Sequence, residues 1–103
     1  MSFSDKVYSL CKKVPRGKVT TYKELAKALG TKAYRAVGQA MRHNPYAPIV
    51  PCHRVVASDG TIGGFSGRTS GPAIRNKIRM LAKEGVAVAG RKIVDFEKRL
   101  HRF

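Results

Sequence analysis

Cys52 and His53 stand side by side in Pro51-Cys52-His53-Arg54-Val55, in a chain with one other cysteine, Cys11. A thiol reacts as its thiolate, and a neighbouring base or cation makes that form available near neutral pH. His53 is such a base, and Arg54 with the basic chain around it supplies positive potential. The pair reads as a nucleophile candidate. Zinc is disfavoured, because there is no CxxC pair and adjacent Cys52 and His53 do not easily face one tetrahedral ion. The N-terminus MSFSDKVYSLCKK lacks an apolar signal core, and no run is long enough to span a bilayer. An intracellular protein with reduced cysteines is therefore expected, in the cytoplasm, nucleoid or nucleus.

The elements that must position this pair follow from spacing. Val7, Leu10, Cys11 and Val14 recur at i, i+3, i+4, i+7 and predict a helix from about Ser4, its N-cap, to Val14. Cys11 lies on that apolar face and reads as core. Lys18 to Tyr22 is short and β-branched, and Thr21 is placed to cap a helix from Tyr22 to Leu29 ended by Gly30. After a short turn, Tyr34 to Arg42 is a further helix, completing a helix-turn-helix outline. Its Ala36, Gly38 and Ala40 are small, with Arg35 and Arg42 beside them. Such a face approaches DNA closely, or else packs closely against a neighbouring helix.

His43 to Pro48 is a proline-punctuated loop leading to Ile49-Val50-Pro51, read as a short buried extended segment that ends at Cys52. Val55 to Ala57, a Ser58-Asp59-Gly60 turn and Thr61-Ile62 predict a wing-like hairpin. Gly63 to Gly67 is glycine-rich without the GxxxxGK[ST] order of a nucleotide-phosphate loop. A helix from Pro72 to about Glu84 follows, then a tail with an extended piece and a short helix near Asp95 to Leu100. The expected fold is mainly α with a small β component, a winged helix-turn-helix-like single domain. Its parts are a helix-turn-helix over about 22–42, an active-site loop and wing over 43–67, a helix over about 72–84 and a tail over 86–103.

The 103 residues carry 21 Lys+Arg against 6 Asp+Glu, a formal charge of +15. That field opposes compaction unless an anionic partner offsets it, and basic residues spread along the whole chain favour a folded nucleic-acid binder over a basic tail.

The runs Ala36-Val37-Gly38-Gln39-Ala40-Met41-Arg42-His43-Asn44-Pro45, Ile49-Val50-Pro51-Cys52-His53-Arg54-Val55-Val56, Gly63-Gly64-Phe65-Ser66-Gly67 and Lys83-Glu84-Gly85 closely resemble the O6-alkylguanine-DNA alkyltransferases. The resemblance covers about Val14 to Gly85 and corresponds to the C-terminal DNA-binding and active-site domain. The N-terminal domain found in many members has no counterpart here.

The resemblance implies single-turnover repair without a cofactor or metal, by a monomer acting on double-stranded DNA. O6-alkylguanine is flipped from the duplex, with O4-alkylthymine as a secondary substrate, and its alkyl group moves irreversibly to Cys52. His53 would act through a water as base, Glu84 would orient it, and Asn44 would hold the active-site turn. Tyr22 would donate to the leaving base. Met41, Val55 and Phe65 would wall the pocket, Ser66 would contact the O6 region, and Lys77 would lie near the pocket. Phe65 stands where many members carry tyrosine, and the stretch from Arg68 to Pro72 reads as longer than usual. Arg35 resembles the arginine that fills the gap left by the base. Ala36, Gly38, Arg42 and Arg54 are the other DNA-facing expectations.

Taken singly these residues have plainer readings: His53 a core histidine, Glu84 a helix-end carboxylate, Tyr22 a core aromatic, Arg35 a solvated charge. A rival reading is an alkyltransferase-like lesion sensor that binds without transfer and hands the site to downstream repair proteins. In such relatives the acceptor cysteine is typically replaced, commonly by tryptophan. This chain has no Trp and keeps Cys52, which favours transfer. A plain winged-helix DNA binder would leave Cys52, His53 and Glu84 unexplained.

Overall fold

The structure, a computed structural model, describes residues 2–65 and 67–103. Helix α1 (Phe3–Cys11) is capped by Ser2 rather than Ser4. Ser2 Oγ accepts from the Asp5 amide at 3.1 Å, while the Asp5 carboxylate accepts from the Ser2 amide at 3.3 Å. The reciprocal pair needs an acidic residue three positions after the cap, and Asp5 meets that for Ser2. Strand β1 (Thr20–Thr21) leads into α2 (Tyr22–Ala28), whose first turn is tied by Thr21 Oγ1 accepting from the Glu24 amide at 3.1 Å. Gly30 then takes a left-handed φ of 69°, and α3 (Tyr34–Arg42) follows.

The predicted wing differs. Its turn closes through the Ala57 amide donating to Thr61 O at 3.0 Å. Strand β2 (Val55–Val56), however, pairs in parallel with β1, Thr20 opposite Val55 and Thr21 opposite Val56. The return arm turns away, Thr61 bridging to Lys92 far along the chain. Ile49 also departs from its expected burial and is 75% exposed, while Val50 is buried. The Val50 amide donates to Tyr46 O, which bends residues 46–50 into a turn that carries only Val50 inward.

Helix α4 (Pro72–Lys83) starts with Pro72 in its first turn. It ends with Gly85 at φ 83°, the Gly85 amide donating to Ala82 O and the Val86 amide to Leu81 O. That double closure is a Schellman motif, and it fixes the C-cap residue, Glu84. The tail forms a hairpin of β3 (Val88–Ala89) and β4 (Lys92–Ile93), then α5 (Phe96–Arg99). Leu100 bridges in parallel to Val19, so the tail extends the small sheet on the free side of β1.

Two apolar clusters flank the β1–β2 pair. One joins α1, α2 and α3 through Val7, Cys11, Leu25, Val37 and Met41, and takes Val55. The other gathers Val19, Ile62, Ile74, Leu81 and Ile93, and takes Val56. Successive strand side chains point to opposite faces, so this one dipeptide binds both halves together. The resulting mostly helical domain has a radius of gyration of 12.3 Å. None of its described helices is long and apolar enough to cross a membrane.

Candidate active site

Cys52 opens a 3-10 turn (Cys52–Arg54) that lies directly before β2. The Cys52 amide donates to Val50 O at 2.8 Å and the Arg54 amide to Pro51 O at 2.9 Å. The preceding loop is stapled by Asn44: its Nδ2 donates to Val50 O at 2.9 Å and its Oδ1 accepts from the Tyr46 amide at 2.9 Å. Both ends of the amide are used, so the backbone carrying Cys52 is held from the end of α3.

His53 is 3% exposed, and its Nε2 lies 3.0 Å from Glu84 Oε2. A carboxylate accepts only, so Nε2 carries the proton in the neutral ring and Nδ1 is left with a free lone pair. Among the described residues Nδ1 has no hydrogen-bond partner. Glu84 also accepts from Arg54 twice, Nε to Oε1 at 2.9 Å and Nη2 to Oε2 at 2.8 Å. Burial alone would raise this carboxyl, but the hydrogen bonds from Arg54 and then His53, with their charges, hold it below the ordinary carboxylate range.

Arg54 is thus a correction to the expectation that it faces DNA. Its third contact, Nη1 donating to Val14 O at 2.8 Å, also points inward. The forked guanidinium offsets the unfavourable placing of a carboxylate at the C-terminal end of α4. Sequence spacing left this role unseen, because the partner lies thirty residues away.

Cys52 faces an open cavity of about 210 Å³. That is below the roughly 300–1,000 Å³ of sites for drug-sized ligands, and suits a single flat ring system with a small substituent. Tyr22, Met41 and Phe65 line it, and Gly38 and Arg42 border it from α3. Burial first, then the charge of Cys52, raises the Tyr22 phenol above its usual value, which keeps its hydroxyl a donor.

Gly64 and Gly67 of the expected active-site loop also line the cavity, and so do Arg68 and Thr69, which lie past the expected end of that loop. Gly67 is favoured by its φ of 76°; a Cβ there would stand 2.8 Å from Arg42 Nε, which the exposed arginine side chain can relieve by shifting. Ser66 lies outside the described residues.

Two expected pocket residues stand elsewhere. Val55 is 0% exposed, its side chain packed in the α1–α3 cluster, so it does not wall the cavity. Lys77 is likewise 0% exposed, and its Nζ donates to Val55 O at 2.8 Å, Ile62 O at 2.6 Å and Gly64 O at 2.9 Å. Burial pulls its ammonium down to about 7, with Cys52 acting in the other direction. Three carbonyl acceptors match the three N–H donors that only the protonated amine has. Lys77 clasps the loop from beneath instead of touching the cavity. Arg35 and Ala36 are exposed on α3, Arg42 beside them at the cavity rim.

Residues 2–86 match the family model of the 6-O-methylguanine DNA methyltransferase DNA-binding domain. The chain belongs to the 6-O-methylguanine DNA methyltransferase family. It is 54% identical over 85 residues to the methylated-DNA–protein-cysteine methyltransferase of Thermococcus kodakarensis, covering 82% of this chain and 45% of that protein. The chain spans about half the length of the curated relatives it matches. Among solved structures it resembles the O6-methylguanine-DNA methyltransferase of Pyrococcus kodakaraensis, at TM-score 0.70 and 53% identity over 84% of this chain and 47% of that one. It also resembles S. pombe Atl1 in complex with damaged DNA containing O6-carboxymethylguanine, at TM-score 0.83 and 34% identity, over 98% of this chain and 95% of that one. The methyltransferase-family domain therefore accounts for the cavity and α3, while the segment after residue 86 lies beyond the family model.

Proposed function

We propose that this chain binds duplex DNA, flips an O6-alkylguanine into the cavity beside Cys52, and moves its alkyl group irreversibly onto that cysteine, with O4-alkylthymine as a secondary substrate. The observation that carries the reading is Cys52 on the cavity with the His53–Glu84–Arg54 chain behind it.

His53 Nδ1, acting through a water, takes the Cys52 thiol proton, and Glu84 stabilises the imidazolium that forms. The thiolate attacks the alkyl carbon; the S–C bond forms as the C–O6 bond breaks, and its electron pair moves onto the guanine. Tyr22, kept protonated, donates to the ring of the leaving base, without which the departing anion leaves poorly. Met41 and Phe65 hold the base flat. The product is an uncharged thioether, whose S–C bond does not break readily near neutral pH, so each molecule acts once.

Along α3, Ala36 and Gly38 let the helix approach the groove, Arg35 fills the space the base vacates, and Arg42 meets the backbone at the cavity rim. Arg54 and Lys77 act from within, as positioning residues.

The nearly end-to-end likeness to Atl1 favours a second reading, lesion binding without transfer. A duplex carrying a labelled O6-methyl group separates the two. Transfer moves label to the wild-type chain in one-to-one stoichiometry, and Cys52→Ala loses the label while still retarding the lesion duplex. Retardation without labelling of the wild type would establish the binding-only reading.

A further inference from the structure

The loop that includes Gly64, Phe65, Gly67, Arg68 and Thr69 supplies five of the ten described residues that line the cavity, yet its described residues belong to no helix or named strand. Its position depends on what grips it. Lys77 holds Ile62 O and Gly64 O from beneath. The β3–β4 hairpin, which lies after the family model ends, holds it from outside. The Ile62 amide donates to Arg91 O at 2.7 Å, the Ile93 amide donates to Gly60 O at 2.9 Å, and Thr61 bridges Lys92. At the far end, Arg91 Nη2 donates to Thr69 O at 3.1 Å.

Arg91 therefore grips both ends of the loop, by its carbonyl at Ile62 and its guanidinium at Thr69. It owes that place to a two-residue turn, Gly90-Arg91, joining paired Ala89 and Lys92, with Gly90 at φ 63°. Beneath the loop, Ile93 and Val88 share an apolar cluster with Phe65, so the hairpin also backs the aromatic wall.

We propose that the Val88–Ile93 hairpin sets the width of the lesion cavity, with Arg91 as its positioning residue, and so restricts the size of O6-alkyl group accepted. The proposal rests on the transfer reading only for its kinetic readout. A loop held at both ends resists the outward shift that a bulky substituent requires; releasing Thr69 lets the Arg68–Thr69 side give way.

The test compares wild type, Arg91→Ala and Arg91→Lys on duplexes carrying O6-methylguanine or O6-benzylguanine, with affinity for undamaged duplex and melting temperature alongside. Arg91→Ala is expected to shift the benzyl-to-methyl rate ratio upward roughly fivefold, about the worth of one ordinary hydrogen bond. Arg91→Lys, which keeps the charge and replaces the fork with a single ammonium, should fall between. An unchanged ratio with weaker binding to undamaged duplex would make Arg91 a phosphate contact and overturn the proposal. So would an unchanged ratio with unchanged affinity. If the wild type transfers neither group, the transfer reading fails on its own. The ratio of lesion-duplex dissociation constants then decides, with the same upward shift in relative benzyl affinity expected.

Discussion

Glu84 receives three hydrogen bonds from two basic side chains, at 2.8 to 3.0 Å, and closes α4 at its C-cap. Its ionised form is therefore part of the fold as well as of the chemistry. The folded carboxyl titrates below the ordinary value of about 4.3. The stabilisation is thus fully present above that ordinary value and is lost as pH falls through the folded one. Glu84→Gln should cost about 2–3 kcal/mol near neutral pH, because it leaves a half-buried guanidinium without its counter-charge. The melting-temperature gap between wild type and variant should narrow as pH falls below about 4. The same variant should slow transfer at least ~10-fold, since His53 loses the group that fixes its tautomer. A gap independent of pH would mean that Glu84 is ionised to no effect in the fold.

At the scale of elements, Lys77 on α4 joins the β2 strand to the cavity loop through three backbone carbonyls. Lys77→Met keeps the length of the side chain and removes every donor. It should destabilise the domain by about 3 kcal/mol in urea denaturation, since two buried carbonyls and one half-buried carbonyl lose this donor. Destabilisation well under 1 kcal/mol would mean that the clasp is dispensable. The sequence revealed the helices because their signals are local: Val7, Leu10 and Cys11 mark one face, Thr21 caps α2, and Pro72 and Gly85 bracket α4. It revealed Cys52, His53 and Glu84 through their motifs. The parallel pairing of Thr20–Thr21 with Val55–Val56 was hidden, since a two-residue strand does not name a partner thirty-five residues away. For the same reason Arg54 and Lys77 read as surface or pocket cations. A basic residue shows its charge in the sequence, and only the fold shows which carbonyl or carboxylate it meets. The tail was legible as an extended piece and a helix, but its grip on Val19 and on the cavity loop was not.

Over the whole molecule, a net charge of +15 on 103 residues would make the proposed association with DNA an electrostatic event first. Affinity should fall linearly on a log–log plot against salt, with a slope of about −0.9 for each phosphate neutralised. Arg42, exposed at the cavity rim, is placed by the proposal in that footprint, so Arg42→Ala should lower the slope's magnitude by about one. An unchanged slope would confine Arg42 to the cavity. On the proposed reading, charge brings the domain to DNA without choosing a lesion; the choice falls to the cavity, and the chemistry to the cysteine that faces it. The central claim is that this cysteine accepts the alkyl group. Intact-protein mass spectrometry after incubation with excess O6-methylguanine duplex, followed by peptide mapping, tests it directly. The expected result is one methyl group per molecule, in place of the thiol hydrogen of Cys52. A chain that binds the lesion duplex tightly and gains no mass, or gains it at Cys11, would contradict it.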